Sequence, residues 1–128
     1  MAGAVDELEP FFAHYAERYM ASDADAVSAV YEAPLLALRE GTVIHLADRA
    51  AVRAHLAELM DAYARSGAAR ADVAELDVTE LGRSSAFATV HWHVRDAEGT
   101  LLKDFRTTYH LVDAGGRWRI LSYTNHDD

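Results

Sequence analysis

His91 and His93 are separated by one residue in FATVHWHV (residues 87–94), a stretch that reads as a β-strand. Side chains alternate along a strand, so both imidazoles share one face. Histidines at that spacing can move protons, ligate a metal or face solvent. The next strand-like segment supplies partners. With Asp96 to Gly99 as a four-residue turn, Arg95 faces Thr100, His93 faces Leu102, His91 faces Asp104, Thr89 faces Arg106 and Phe87 faces Thr108. A carboxylate beside an imidazole fixes its tautomer and stabilises its protonated form, so His91 and Asp104 are the candidate catalytic pair. The bland reading is a structural hydrogen bond between the same two groups. Arg106 is a candidate contact for a substrate carboxylate or enolate, unless Asp104, two residues away on the same face, neutralises it. A metal site at His91 and His93 needs a third ligand, and this pairing sets Leu102 opposite His93. No metal and no other cofactor is expected.

An even-length turn at Asp113 to Gly116 then sets Thr108 against Leu121, Arg106 against Tyr123 and Asp104 against Asn125. A three-residue turn slips the register by one and sends Tyr123 and Asn125 to the other side. In the even register one face carries Phe87, Thr89, His91, His93, Asp104, Arg106, Thr108, His110, Tyr123 and Asn125. The opposite face, with Ala86, Ala88, Val90, Trp92, Val94, Phe105, Tyr109, Trp118 and Ile120, is largely apolar. Two arrangements fit. The polar face lines a cavity beneath a helical layer while the apolar face forms a homodimer interface, or the apolar face is core and the polar face is wet. The site assignment below rests on the first.

The elements that must position this sheet lie upstream. Val5, Leu8, Phe12, Tyr15 and Tyr19 mark one helix, with Pro10 either in its first turn or kinking a longer one. A second helix is capped by Ser22, buries Val27, Val30 and Tyr31, and stops before Pro34. A hairpin follows, with Leu35 to Arg39 and Val43 to Leu46 about a turn at Gly41. Asp48 caps a third helix carrying Val52, Leu56, Leu59, Met60 and Tyr63, with His55 beside the stripe, and Gly67 ends it. The period then changes to two, giving strands near 71–81, 85–95, 100–112 and 117–124. The tail at His126, Asp127 and Asp128 is expected to fray.

The bulk numbers bound the partners. The chain has 128 residues and no cysteine, so it has the length of one domain (residues 1–128) and no thiolate chemistry. Twelve basic against twenty-one acidic residues leave a net charge of −9, which argues against nucleic acid and anionic membranes. The first twenty residues lack the basic start and continuous apolar run of a signal peptide, and a cytoplasmic location is expected. There is no G-x-S-x-G, P-loop or Rossmann glycine set.

FRTTYHLVDAGGRWRILSYTNH resembles the closing strand pair of the NTF2-like, SnoaL-like superfamily. The similarity lies in Arg106, Thr107 and Thr108 one strand before Gly116, Trp118 and Ile120. The Tyr15 to Tyr31 region resembles its first two helices. The resemblance implies an α+β cone, three N-terminal helices packed on a strongly curved mixed or antiparallel sheet, with a pocket between helices and sheet. It places Tyr15 where ketosteroid isomerases carry an oxyanion-hole tyrosine, eight residues before Asp23. It also places Arg39 and Thr108 where those enzymes carry acids, so that activity is not expected. Asp104 and Arg106 only partly echo the water-activating set of limonene-type epoxide hydrolases. The superfamily spans many functions, so fold does not fix activity. The expectation is a small organic molecule held by Tyr15, Tyr31, Thr89, Arg106, Thr108, Tyr123 and Asn125. Either a cofactor-independent isomerase, cyclase or dehydratase works on it through His91 and Asp104, or a non-catalytic ligand-binding or dimerisation module holds it.

Overall fold

The computed structural model describes residues 3–126. In chain order it forms α1 (Ala4–Met20), α2 (Ala24–Ser28), β1 (Tyr31–Arg39), β2 (Thr42–Leu46), α3 (Arg49–Arg65), β3 (Ala68–Leu81), β4 (Ser85–Asp96), β5 (Leu101–Ala114) and β6 (Arg117–His126). The strands make one six-stranded sheet in the order β2-β1-β6-β5-β4-β3. Only β1 and β6 pair in parallel, so the sheet is mixed. The expected α+β class with three helices is present among the described residues. The sheet is open, with β2 and β3 at its edges, and is not strongly curled as the resemblance implies.

Pro10 lies inside α1, so the longer of the two helix readings holds. The α1 start has no side-chain cap of its own, and Glu80 Oε1 on β3 accepts from Ala4 N at 3.1 Å. The second helix is shorter than its apolar spacing suggests. Asp23, not Ser22, is its cap, accepting from Ala26 N at 3.1 Å. Tyr31 already opens β1, where Tyr31, Leu35 and Ala37 are buried and Pro34 is an exposed strand residue rather than a helix stop. Asp48 caps α3 as expected, accepting from Ala51 N at 2.9 Å. Two hairpins turn on positive φ at both central residues, Glu40-Gly41 (49° and 82°) and Gly115-Gly116 (64° and 81°). That geometry suits the twist of the flanking strands.

Two registers differ from the sequence pairing. The turn sets Arg95 opposite Leu101 rather than Thr100, and a bulge between Val94 and Arg95 adds a second step, so β5 is advanced by two residues and His93 stands opposite Asp104, His91 opposite Arg106, Thr89 opposite Thr108 and Phe87 opposite His110. A shift of two keeps every side chain on its face. Between β5 and β6, the turn is the Gly115-Gly116 pair, and a second irregularity follows between Leu111↔Ile120 and His110↔Ser122. That single step sets Tyr109 opposite Tyr123 and Thr107 opposite Asn125. Tyr123 and Asn125 therefore sit on the opposite face from His91.

The apolar face is the core. Ala86, Ala88 and Val90 are fully buried, with Trp92, Tyr109, Leu111 and Ile120, beneath the α1 stripe of Leu8, Phe12 and Tyr15 and the α3 stripe of Val52, Leu56 and Met60. Phe12 lies between α1 and the sheet with its ring 4.8 Å from Tyr109 and 6.4 Å from Trp92. This corrects the orientation expected from sequence: the histidine face looks away from the helices, and the apolar face is not free to form a dimer interface. Two amphipathic helices bury far more carbon against Trp92 and Val90 than against imidazoles, and the hydrophobic term decides the side. His126 closes β6, bonded to Thr108, so it is not frayed; Asp127 and Asp128 lie outside the described residues.

Candidate functional site

Between the helices and the sheet lies a cavity of about 310 Å³. All six tyrosines of the chain line it. Tyr15 and Tyr19 come from α1, Tyr63 from α3, Tyr31 from β1, Tyr109 from β5 and Tyr123 from β6. Trp92, Phe105 and Leu56 complete much of the wall. Their convergence follows from two periods: Tyr15, Tyr19 and Tyr63 face the sheet by helical spacing, and Trp92, Tyr109 and Tyr123 face the helices by strand alternation.

The phenols are tied to one another. The Tyr15 and Tyr31 hydroxyls are 2.7 Å apart, and Trp92 Nε1 donates to Tyr109 Oη at 3.2 Å. Tyr123 Oη is 2.7 Å from His55 Nε2 on α3. Beside them, Thr107 Oγ1 donates to Asn125 Oδ1 at 2.8 Å. Burial drives every one of these phenols upward in pKa, Tyr123 to about 12 and Tyr15, Tyr19, Tyr31, Tyr63 and Tyr109 also above the ordinary tyrosine value. The cavity thus presents neutral O–H groups rather than phenolates. Burial lowers the pKa of His55, partly opposed by Glu58, so the ring bonded to Tyr123 is neutral near pH 7.

Charge enters from the ends of β1 and β5. Arg39 and Lys103 line the cavity, both with exposed side chains, and among the described residues no carboxylate does. Lys103 Nζ lies 5.2 Å from the Tyr63 ring centroid, a cation–π contact. In a chain of net charge −9, a lining with two cations and no acid is a local inversion of sign.

Of the residues predicted for the site, Tyr15, Tyr31, Tyr123 and Asn125 line the cavity. Thr89, His91, Asp104, Arg106 and Thr108 do not, because they lie on the outer face of β4 and β5. The His91–Asp104 pair does form, with Nε2 2.5 Å from Oδ1, but across the sheet from the cavity. That contact, then desolvation in opposition, then the charges of His91, His93 and Arg106 leave the Asp104 carboxyl below its usual range. Thr89 and Thr108 bond to each other at 2.8 Å. Sequence reasoning missed Arg39, Lys103, Tyr63, Trp92, Thr107 and Tyr109 as lining residues, and His55 behind Tyr123. The resemblance places Arg39 where ketosteroid isomerases carry an acid, and in this chain Arg39 lines the cavity with a cation.

Residues 6–128 match the NTF2-like protein family DUF6841, and the chain belongs to that family. No curated protein matches it. Among solved structures it is similar to Aln2 from a Streptomyces species, at 22% identity and a TM-score of 0.76, covering 100% of this chain and 94% of that one. A cystatin-like-fold protein of unknown function from Nostoc punctiforme is similar at 15% identity and a TM-score of 0.78, covering 98% and 93%. An NTF2-like protein with a cystatin-like fold from Novosphingobium aromaticivorans is similar at 22% identity and a TM-score of 0.73, covering 94% and 79%. Likeness at these identities shows the fold. Among the described residues, no helix is long and apolar enough to cross a membrane.

Proposed function

We propose that this NTF2-like domain binds a small organic anion with a flat apolar body, such as an aromatic or alicyclic carboxylate, in the helix–sheet cavity. The observation that carries this reading is the lining itself: six phenols and a tryptophan with Arg39 and Lys103 and, among the described residues, no carboxylate. The cavity volume falls in the range of small-molecule sites, roughly 300–1,000 Å³. Aromatic walls suit a planar body, neutral hydroxyls donate to its oxygens, and the two cations offset its charge. Trp92 is in the lining and Trp118 is not, so a Trp118→Phe protein reports on the cavity by tryptophan emission. Titration with a naphthoate should quench or shift that emission to saturation. An emission unchanged up to millimolar ligand contradicts the reading.

A second reading, cofactor-independent proton transfer on the bound molecule, is favoured by the His55–Tyr123 contact. Tyr123 Oη can take a proton from a ligand carbon as its own proton passes to the neutral His55 Nε2, and the reverse transfer returns a proton to the ligand at a neighbouring atom, leaving both side chains as they began. His55 and Tyr123 replace His91 and Asp104 in this role, since the latter pair faces away from the cavity. Of the two sheet faces the helices cover one, so a homodimer through the sheet would use the other.

A further inference from the structure

The outer face of the sheet holds a second constellation, independent of the cavity. On β4, His91 and His93 point the same way, with ring centroids 4.8 Å apart and planes at 83°. Asp104 on β5 stands between them, with Oδ1 2.5 Å from His91 Nε2 and Oδ2 3.7 Å from His93 Nε2. One donor atom from each of the three lies within 4.8 Å of the others. The pairing read from sequence puts Leu102 opposite His93 and leaves the pair without a third ligand. The two-residue advance of β5 removes that objection, because Asp104 itself is opposite His93.

We propose that His91, His93 and Asp104 bind a divalent transition-metal ion of the zinc, cobalt or nickel class. Two neutral imidazoles and a carboxylate suit these ions rather than magnesium or calcium, which prefer all-oxygen shells. Metal–ligand bonds of about 2.0–2.1 Å put two donors of a tetrahedral ion about 3.3 Å apart. The two His–Asp separations of 2.5 and 3.7 Å lie either side of that figure, and side-chain rotation must draw in the widest donor separation, which is within 4.8 Å, to close the site. The strands fix the two histidines, and the Asp104 side chain, 50% exposed, has freedom to adjust. Three protein ligands on a solvent-facing surface leave at least one position open to water or an incoming ligand. The field is mixed. Arg106 stands opposite His91 on β5 and opposes a cation, while Glu75 stands opposite His91 and Asp72 opposite His93 on β3. Asp72 is already engaged by Arg70 and Arg95, at 3.1 and 3.6 Å, so Glu75 is the carboxylate that offsets Arg106. An ion held here ties β4 to β5 in place of the direct His91–Asp104 contact.

The test is calorimetric titration of Zn²⁺ into tag-free, metal-stripped protein, with Co²⁺ absorption spectra as a second readout. One ion per chain is expected, with micromolar or tighter affinity and a cobalt d–d band. His93→Ala and Asp104→Asn should each weaken binding at least tenfold, and His91→Ala/His93→Ala should abolish it. Asp104→Asn is close to isosteric, so folding is preserved, and circular dichroism checks each variant. His45→Ala, at an exposed histidine on β2, should bind as wild type does. Zinc affinity unchanged in the double variant, no saturable binding at one ion per chain, or a preference for Mg²⁺ over Zn²⁺ would each overturn the proposal.

Discussion

His55 Nε2 and Tyr123 Oη meet at 2.7 Å, joining α3 to β6 across the edge of the cavity. This contact holds the imidazole in a half-buried place where desolvation lowers its pKa. The unfolded chain then binds the proton more readily than the folded one, so stability rises with pH across the window below the ordinary histidine value of about 6.5. It is lost progressively as pH falls from there toward the folded value. The expected outcome is a wild-type stability that declines on acidification over this window, and a smaller decline in His55→Gln. Urea unfolding at several pH values measures both, and parallel profiles would show that His55 is not the group responsible.

Tyr15 and Tyr31 share one hydrogen bond inside the aromatic cluster. Removing one hydroxyl leaves the other short of a partner, so Tyr15→Phe and Tyr31→Phe should each cost about 1–3 kcal/mol. The double variant should cost less than the sum, because it leaves no orphan from this pair. A double-mutant cycle by chemical denaturation gives the coupling, and strict additivity would mean the two phenols do not depend on each other.

Leu111 is fully buried on the helix side of β5, whereas Leu102, on the same strand, is 39% exposed. Leu111→Ala should cost about 2–5 kcal/mol as a cavity-forming change in the core. Leu102→Ala should fall within about 0.5 kcal/mol of wild type. Equal costs would mean that the assignment of core and outer faces is mistaken.

The faces themselves are legible from alternation alone: the side chains of FATVHWHV divide into two sets whichever way the strand is turned. Which set looks inward is not legible there, because a strand records only that two faces differ. The choice is made by the helices, whose stripes of Leu8, Phe12, Val52 and Leu56 need an apolar partner. Weighing that demand first places Trp92 and Tyr109 in the cavity and His91 outside it. Tyr123 and Asn125 depend on a one-residue irregularity beside Leu121 that no turn motif announces. The pairing of His93 with Asp104 depends on the bulge at Arg95 in the same way. Arg39 and Lys103 are hidden for another reason. They are exposed in the chain and sit on strands far apart in sequence, and only the sheet order brings β1 and β5 to either side of β6.

The sign of the cavity's charge makes a prediction about salt. Arg39 and Lys103 are exposed, so their attraction for a ligand carboxylate is screened. Affinity for an aromatic carboxylate should fall severalfold between low and half-molar salt, while affinity for the matching neutral amide should hardly move. Binding constants at three salt concentrations read this directly, and identical slopes for acid and amide would remove the electrostatic part of the account.

The most direct measurement is a calorimetric comparison of one aromatic carboxylate, its amide and its methylamine analogue on wild type and on Arg39→Ala/Lys103→Ala. The account predicts the order carboxylate, then amide, then amine on wild type. It predicts a carboxylate advantage of about tenfold, near 1.4 kcal/mol, that vanishes in the double variant while the amide still binds. An amine that binds as tightly as the acid, or a carboxylate whose affinity ignores both substitutions, would contradict it.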